Sequence, residues 1–331
     1  MRVFVTGGAG FIGRSVCRQL RARGDEVVAV VRDPGRAADL EALGCEVRAG
    51  DLASPEALTG GMRSCDGVIH LAGSYRIGIP ARERPQMYEA NVGATHRVLE
   101  AAIATGVPRI VHVSSVNALG NTHEKIVDET YRRDISQGFL SYYDETKHLA
   151  HVAARELISS GAPVLIAMPG TTYGPGDHSA IGSQLQLAYE GRLLVTGMTN
   201  VGISPAHVDD VAGGIIATLA QGRIGELYIL AGRNMRLREA LEAAARVGGH
   251  PPPRITVPTG LLRAIARLGP IGSKLFGQPS NFTEVISAAD DVTYWASSAK
   301  ASLKLGYAPR DLESGIRDAF GGQRHSAATY Q

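Results

Sequence analysis

Two residues in the middle of the chain have the types and the spacing to move a proton. Tyr143-Asp144-Glu145-Thr146-Lys147 sets a phenol and an amine four positions apart. On a helix, positions i and i+4 share a face, so both side chains project the same way. A free phenol has a pKa of about 10 and is a poor acid or base near neutrality. A cation held beside it favours the phenolate and brings the group toward working pH. Tyr142 lies one residue off that register and reads as packing. Upstream, the apolar run Ile110-Val111-His112-Val113 ends in Ser114-Ser115. A serine hydroxyl at the end of a central strand can hydrogen-bond a carbonyl oxygen as that oxygen gains negative charge. The alternative is a strand-end serine that closes a turn.

The chain opens on a second site. Arg2 to Thr6 is a strand-like run that breaks at Gly7-Gly8-Ala9-Gly10-Phe11-Ile12-Gly13 and resumes as a helix pattern. Strand, glycine turn and helix start bring bare backbone N–H groups next to the positive end of a helix dipole, a seat for a pyrophosphate. Glycine lets backbone and phosphate approach closely. Gly7, Gly10 and Gly13, with Phe11 and Ile12 between them, are therefore candidates to grip a dinucleotide. An oxidised nicotinamide would add its positive charge to that of Lys147 beside Tyr143. The second strand pattern ends at Arg32, with Arg36 a turn further, where NAD-binding chains carry an acid for the ribose 2′-hydroxyl. Guanidinium groups pair with a 2′-phosphate, which favours NADP(H). Asp33 keeps NAD(H) open, and a solvated Arg32 is the plainer alternative. After the third strand, Asp51 can accept the adenine amino group with Leu52 against the ring, or it caps the helix starting at Ser54-Pro55.

Positioning these groups takes a sheet. Strand patterns at Arg2–Thr6, Glu26–Arg32, Glu46–Ala49, Gly67–Leu71, Arg109–Ser114, Pro163–Met168 and Glu226–Ala231 alternate with helical ones at Gly13–Arg23, Pro34–Ala42, Pro55–Met62, Tyr88–Thr105, Tyr142–Ser159 and Val208–Gln221. This predicts an α/β fold, a Rossmann-type doubly wound parallel sheet. Later segments are richer in Gly and Pro and predict a smaller C-terminal substrate-binding lobe. The expected division is 1–172 plus about 207–232 for the dinucleotide, about 173–206 and 233–320 for the lobe, and a disordered tail at 321–331. With Lys+Arg 34 against Asp+Glu 32, the 331-residue chain makes no electrostatic case for nucleic acid. No run approaches the roughly 20 apolar residues of a membrane span. The amphipathic stretch Leu261–Phe276 reads as a helix over a pocket, or as a membrane-surface contact. Cys17, Cys45 and Cys65 suit neither a disulfide framework nor a zinc site. Together with a strand-like N-terminus they predict a cytoplasmic protein with reduced thiols. His178 and His207 lack companions at metal-ligand spacing, so no metal is expected.

The chain resembles the extended short-chain dehydrogenase/reductase family over nearly its whole length. The resemblance rests on Thr6-Gly7-Gly8-Ala9-Gly10-Phe11-Ile12-Gly13, Gly50-Asp51-Leu52, His70-Leu71-Ala72-Gly73, Asn91-Val92-x-x-Thr95, Ser114-Ser115, Tyr143-x-x-x-Lys147, Tyr173-Gly174-Pro175-Gly176-Asp177 and His207-Val208-Asp209-Asp210-Val211. It implies Tyr143 as proton donor and acceptor, and Lys147 as the group that tunes it and binds the nicotinamide ribose. It implies Ser115 as partner of the substrate oxygen, with Ser114 as the fallback. Leu71, Ala72 and Gly73 would lie near the cofactor phosphates and ribose, Asn91 would belong to the cofactor site, and Pro169, Gly170, Thr171 and Thr172 would meet the nicotinamide end. A dimer through a helix pair that includes Tyr142–Ser159 is a further implication.

Within that family, Val31-Arg32-Asp33-Pro34 resembles the dihydroflavonol-reductase and 3-beta-hydroxysteroid-dehydrogenase-like branch. The expected reaction is hydride transfer between NADP(H) and a ketone, aldehyde or secondary alcohol. An NAD-dependent sugar-nucleotide epimerase is the alternative, and a non-catalytic NADP-sensing protein is a third reading. Tyr75, Asn117, Tyr173, His178, Gln184 and Leu261–Leu275 are candidates to line the substrate pocket. Arg192, Arg233 and Arg236 could hold a nucleotide diphosphate.

Overall fold

The computed structural model describes residues 1–266 and 281–321. Strands β1 (Arg2–Thr6), β2 (Glu26–Val31), β3 (Glu46–Ala49), β4 (Gly67–His70), β5 (Ile110–Val113) and β6 (Val164–Pro169) join the Leu227–Leu230 strand in one seven-stranded sheet. The spatial order is Leu227–Leu230, β6, β5, β4, β1, β2, β3, and every pairing is parallel. The chain winds from β1 out to β3, then returns to the other side of β1 as β4 and winds outward the opposite way. The reversal between β1 and β4 opens a crevice at the carboxyl ends of the strands. The glycine turn follows β1 and Leu71–Gly73 follows β4, so both border that crevice.

Burial explains the near-continuous Val/Ile/Leu runs. Every residue of β4, β5 and β6 is buried, as parallel strands covered on both faces must be. On one face Val3, Val5, Ala29 and Leu165 pack with Val16 and Leu20 of the helix Phe11–Ala22 and Ile215 of the helix Val208–Gln221. On the other, Phe4, Val28, Val68 and Ile110 pack with Leu99 and Ala154 from the helices Ala94–Ala104 and Tyr142–Ser159. This second cluster runs on into Leu185, Tyr189, Leu237, Leu241, Ile316 and Phe320. Helices Ala180–Tyr189, Leu237–Gly248 and Leu312–Phe320 therefore extend the sheet's own core.

Two helices differ from the sequence expectation. Pro34–Ala42 breaks into a 3-10 turn at Pro34–Arg36 and a short helix at Ala38–Ala42. The Tyr88–Thr105 helix starts earlier, at Arg84, and passes through a π turn at Glu89–Gly93 before Ala94–Ala104. All three cysteines are buried free thiols. No helix among the described residues is long and apolar enough to cross a membrane. The tail expected beyond Gly321, and residues 267–276 of the amphipathic stretch, lie outside the described residues.

Candidate active site

The glycine turn is shaped first by contacts within the chain. Gly7 has φ of +72°, and a Cβ there would sit 2.7 Å from the Ala72 nitrogen. A Cβ on Gly13 would sit 2.0 Å from the Gly7 carbonyl oxygen. No side chain fits at either position, so Leu71–Ala72 presses on the turn and the turn presses on its helix. Gly10 is the N-cap of Phe11–Ala22, which starts with no side-chain cap and no acidic residue in its first turn. The leading N–H groups are left to an anion at the positive end of the helix. This cradle fits a pyrophosphate.

At the end of β2, Arg32 and Arg36 are exposed, and neither guanidinium makes an ion pair among the described residues. Asp33 spends a carboxylate oxygen on the Gly35 N–H at 3.1 Å. Arg14 donates to the carbonyls of Ala9 and Arg36 and pairs with Asp39, which ties the Arg36 loop to the glycine turn. Asp51 does not cap the following helix: its Oδ1 accepts from Ala53 N at 2.9 Å, and Ser54 caps Pro55–Met62 by accepting from Ala57 N at 3.2 Å. The intervening dipeptide makes Ser54 the N-terminal residue with extended backbone, and so the capping one. Leu52 is half-buried, and its carbonyl accepts from Arg97.

The helix Tyr142–Ser159 carries the phenol and the amine. Ser141 caps it by accepting from Asp144 N, and Glu284, from a distant segment, accepts from Tyr142 N at 2.5 Å. Tyr143 is buried, with Ser115 near its hydroxyl and the Tyr75 ring edge-on at 4.8 Å. Burial raises the Tyr143 phenol above its ordinary value, Tyr75 and Asp144 add to this, and only the Ser115 hydroxyl acts the other way. Lys147 is not among the groups that shift the phenol, so the lowering expected from it is not seen in the protein alone. Lys147 Nζ donates to the Val113 carbonyl at 3.2 Å, and burial brings its pKa down to about 8. Ser115 Oγ also meets Asn117, accepting from its backbone N and donating to its Oδ1 at 3.1 Å. Ser114 turns the other way, to His151 Nδ1 at 3.1 Å in the buried interior. Of the two serines, Ser115 is the one beside the phenol.

Asn91 is held by protein groups. Its Oδ1 accepts from Ser74 N at 2.6 Å, and its Nδ2 donates to the Ser74 carbonyl and to Thr146 Oγ1 at 2.9 Å. Asn91 lies in the π turn at Glu89–Gly93, and its side chain acts as a strut between protein segments. Tyr173 is likewise held within the protein. It is fully buried, its hydroxyl donates to the Leu312 carbonyl, and its ring packs on Gly315 and His207. It belongs to the core beneath the last helix. His178 is exposed and Gln184 half-buried, neither with a hydrogen bond among the described residues. Pro169 ends β6, Gly170 N donates to the Leu230 carbonyl, and Thr171–Tyr173 pairs with Pro205–His207. No group of three or more potential metal ligands gathers among the described residues.

Two groups near the phenol went unnoticed in the sequence. Tyr294 is buried close enough to Tyr75, Tyr143 and Asp144 for their charges to raise its phenol further, and its hydroxyl donates to the Ala288 carbonyl. It lies 151 positions after Tyr143, with no periodicity to flag it. Thr146, inside the Tyr-x-x-x-Lys spacing, was legible as a neighbour of Tyr143 and donates to its carbonyl at 3.0 Å.

Comparison with known proteins agrees with this arrangement. The sequence profile of the NAD dependent epimerase/dehydratase family matches residues 3–231. A protein of Synechocystis sp. with the provisional name dihydroflavonol 4-reductase is 29% identical over 326 residues, 96% of this chain and 92% of that protein. The crystal structure of gox2253 is 31% identical, covers 98% of each chain and superposes with a TM-score of 0.80. MoeE5 in complex with UDP-glucose and NAD is 25% identical, with a TM-score of 0.77 over 99% of this chain and 100% of that one. The chain belongs to the NAD dependent epimerase/dehydratase family and is an NAD(P)-dependent oxidoreductase of the extended short-chain dehydrogenase/reductase type.

Proposed function

We propose that this chain is an NADP(H)-dependent carbonyl reductase whose acid–base group is Tyr143. The observation that carries the reading is the buried Tyr143 phenol beside Ser115, with Lys147 one helical turn along on the Val113 carbonyl. The free guanidinium groups of Arg32 and Arg36, and the use of Asp33 in a local turn, support NADP(H) over NAD(H). The tyrosine rings around the phenol support a ketone with apolar or cyclic surroundings. The arginines suited to a sugar nucleotide are partly engaged elsewhere: Arg192 pairs with Glu190, and Arg236 pairs with Glu124 and stacks on Trp295. Segments 173–206 and 233–320 are read as the substrate side, and 1–172 with 207–232 as the dinucleotide side.

In the reducing direction Ser115 donates to the substrate oxygen and holds the carbonyl against Tyr143. The reduced dinucleotide, when bound, supplies the hydride to the carbonyl carbon. Tyr143 gives its proton to the oxygen, which leaves as a secondary alcohol. Lys147, cationic below about pH 8, stabilises the phenolate until a proton returns from solvent. To hold the carbonyl, the Ser115 hydroxyl turns its one proton from Asn117 Oδ1 to the substrate oxygen, where it stabilises the developing charge.

The test is direct. Purified protein is denatured, any released nucleotide identified, and NADPH and NADH binding compared. NADPH oxidation is then followed with a panel of cyclic, aromatic and aliphatic ketones. Turnover with added NADPH, lowered about 10²- to 10⁴-fold in Tyr143→Phe, is the expected result. Tightly retained NAD, with sugar-nucleotide turnover and no added cofactor, would move the chain to the epimerase reading. Binding without turnover across the panel would leave the sensor.

A further inference from the structure

Beneath the crevice a single line of buried hydrogen bonds joins the dinucleotide seat to the catalytic helix. Ala72 N donates to Thr6 Oγ1 at 3.3 Å, and Thr6 Oγ1 lies 2.7 Å from His70 Nδ1. His70 Nε2 lies 3.1 Å from Thr95 Oγ1, which donates to the Asn91 carbonyl at 2.7 Å. Asn91 Nδ2 donates to Thr146 Oγ1, and Thr146 donates to the Tyr143 carbonyl. Thr6, His70, Thr95, Asn91 and Thr146 are all buried.

The proton positions follow from counting donors. The Thr95 end decides, and it leaves Nδ1 of the neutral ring bare, to accept the Thr6 O–H. Thr95 spends its O–H on the Asn91 carbonyl, so it accepts from His70 and the imidazole proton sits on Nε2. One ring thus accepts on one edge and donates on the other. Neutral imidazole has one acceptor and one donor nitrogen, which matches this demand. Burial, with Lys147 nearby, brings the His70 pKa down to about 3, so the ring stays neutral at working pH.

We propose that His70 is a positioning residue: as the neutral Nε2–H tautomer it couples the loop that seats the dinucleotide to the backbone that aims Tyr143. The proposal rests on the carbonyl-reductase reading for its kinetic consequence, and on the hydrogen-bond geometry alone for its tautomer. Its two ends have separate duties. The Thr6 end holds Ala72 against Gly7. The Thr95 end holds Asn91, and through it Ser74 and Thr146.

The experiment has a spectroscopic arm and a kinetic arm. In the native protein, ¹⁵N NMR of the His70 ring should show bare Nδ1 and protonated Nε2 at neutral pH and down to about pH 5. An Nδ1–H tautomer or an imidazolium in that range overturns the proposal, whatever the protein's substrate. Thr6→Val should raise the NADPH Kd about tenfold with little change in kcat. Thr95→Val should lower kcat about tenfold at unchanged Kd, since small displacements of an acid–base group cost rate steeply. Thr95→Ser should behave as the parent. His70→Asn keeps an acceptor toward Thr6 but cannot reach Thr95, so it should match Thr95→Val, and the double variant should be no worse than either. Additive losses, or folded Thr95→Val and His70→Asn variants with parental kcat, would also sink it. Nucleotide binding and the NMR signature need no substrate, so an inactive parent would refute the reductase reading without touching this one.

Discussion

Buried among Tyr75, Ser115 and Asp144, the Tyr143 hydroxyl is a weaker acid than a phenol in water, while Lys147 is a stronger acid than an exposed amine. Both shifts have one main cause: desolvation penalises the charged form of each. At neutral pH Lys147 is still an ammonium, while the Tyr143 phenolate is the form that burial disfavours. Arg32 shows the opposite regime, an exposed guanidinium with no ion pair among the described residues. On the NADP(H) reading proposed above, its partner is the 2′-phosphate. A charge-assisted bond to phosphate contributes about 1.5–3 kcal/mol. Arg32→Ala should therefore raise the NADPH Kd roughly 10- to 100-fold and leave the NADH Kd within about twofold, as read by fluorescence titration. Equal weakening of both would assign Arg32 to the shared part of the dinucleotide.

The strands and helices hold these residues through unlike devices. The helix Tyr142–Ser159 has two caps, one local at Ser141 and one from Glu284, so its first turn, where Tyr143 sits, is secured from two directions. The sheet face under it carries His70, His112 and His151 in or against β4 and β5, all buried. His70 and His151 are brought down to about 3, and His112 is lowered as well, chiefly by burial. The unfolded rings take up protons near pH 6.5, the folded His70 and His151 only near 3, and the folded His112 well below its free value. As pH falls through that window the unfolded state binds more protons, so the fold loses stability. Urea midpoints measured from about pH 7 to pH 4 should fall steadily, with proton uptake on unfolding seen by calorimetry. His112→Leu should make that slope shallower, and an unchanged slope would show that the ring is already protonated in the fold.

At the scale of the molecule, the second apolar cluster decides cooperativity. It runs without a break from Phe4 and Val28 in the sheet to Tyr189, Leu241 and Phe320 in the late helices. Ion pairs add further ties: Asp209 meets Arg18 and Ser15 on the glycine-loop helix, and Asp210 meets Arg310 near the last helix. Unfolding should therefore be one transition in a scanning calorimeter. Phe320→Ala, at a buried position against Tyr189, should cost about 3–5 kcal/mol and lower that single transition as a whole. Two resolved transitions, with only one displaced, would mean that the late helices form a core of their own.

What the sequence alone determined is local in origin. Strand runs, helix periods, the glycine turn and Tyr143-x-x-x-Lys147 are written in neighbouring residues, and β1, β3, the helix Pro55–Met62 and the helix Tyr142–Ser159 were legible to the residue. The boundaries blurred where the backbone departs from a simple period, as at the π turn that aims Asn91 inward. Only the tertiary structure turned Ser114 to His151 and left Ser115 near the phenol, tied Asn91 to Ser74 and Thr146, buried Tyr173 under Gly315, brought Tyr294 and Glu284 to the helix Tyr142–Ser159, and desolvated Tyr143. Each depends on which distant side chain supplies a hydrogen bond or removes water. No spacing within a segment encodes that, because it is a property of the packed chain.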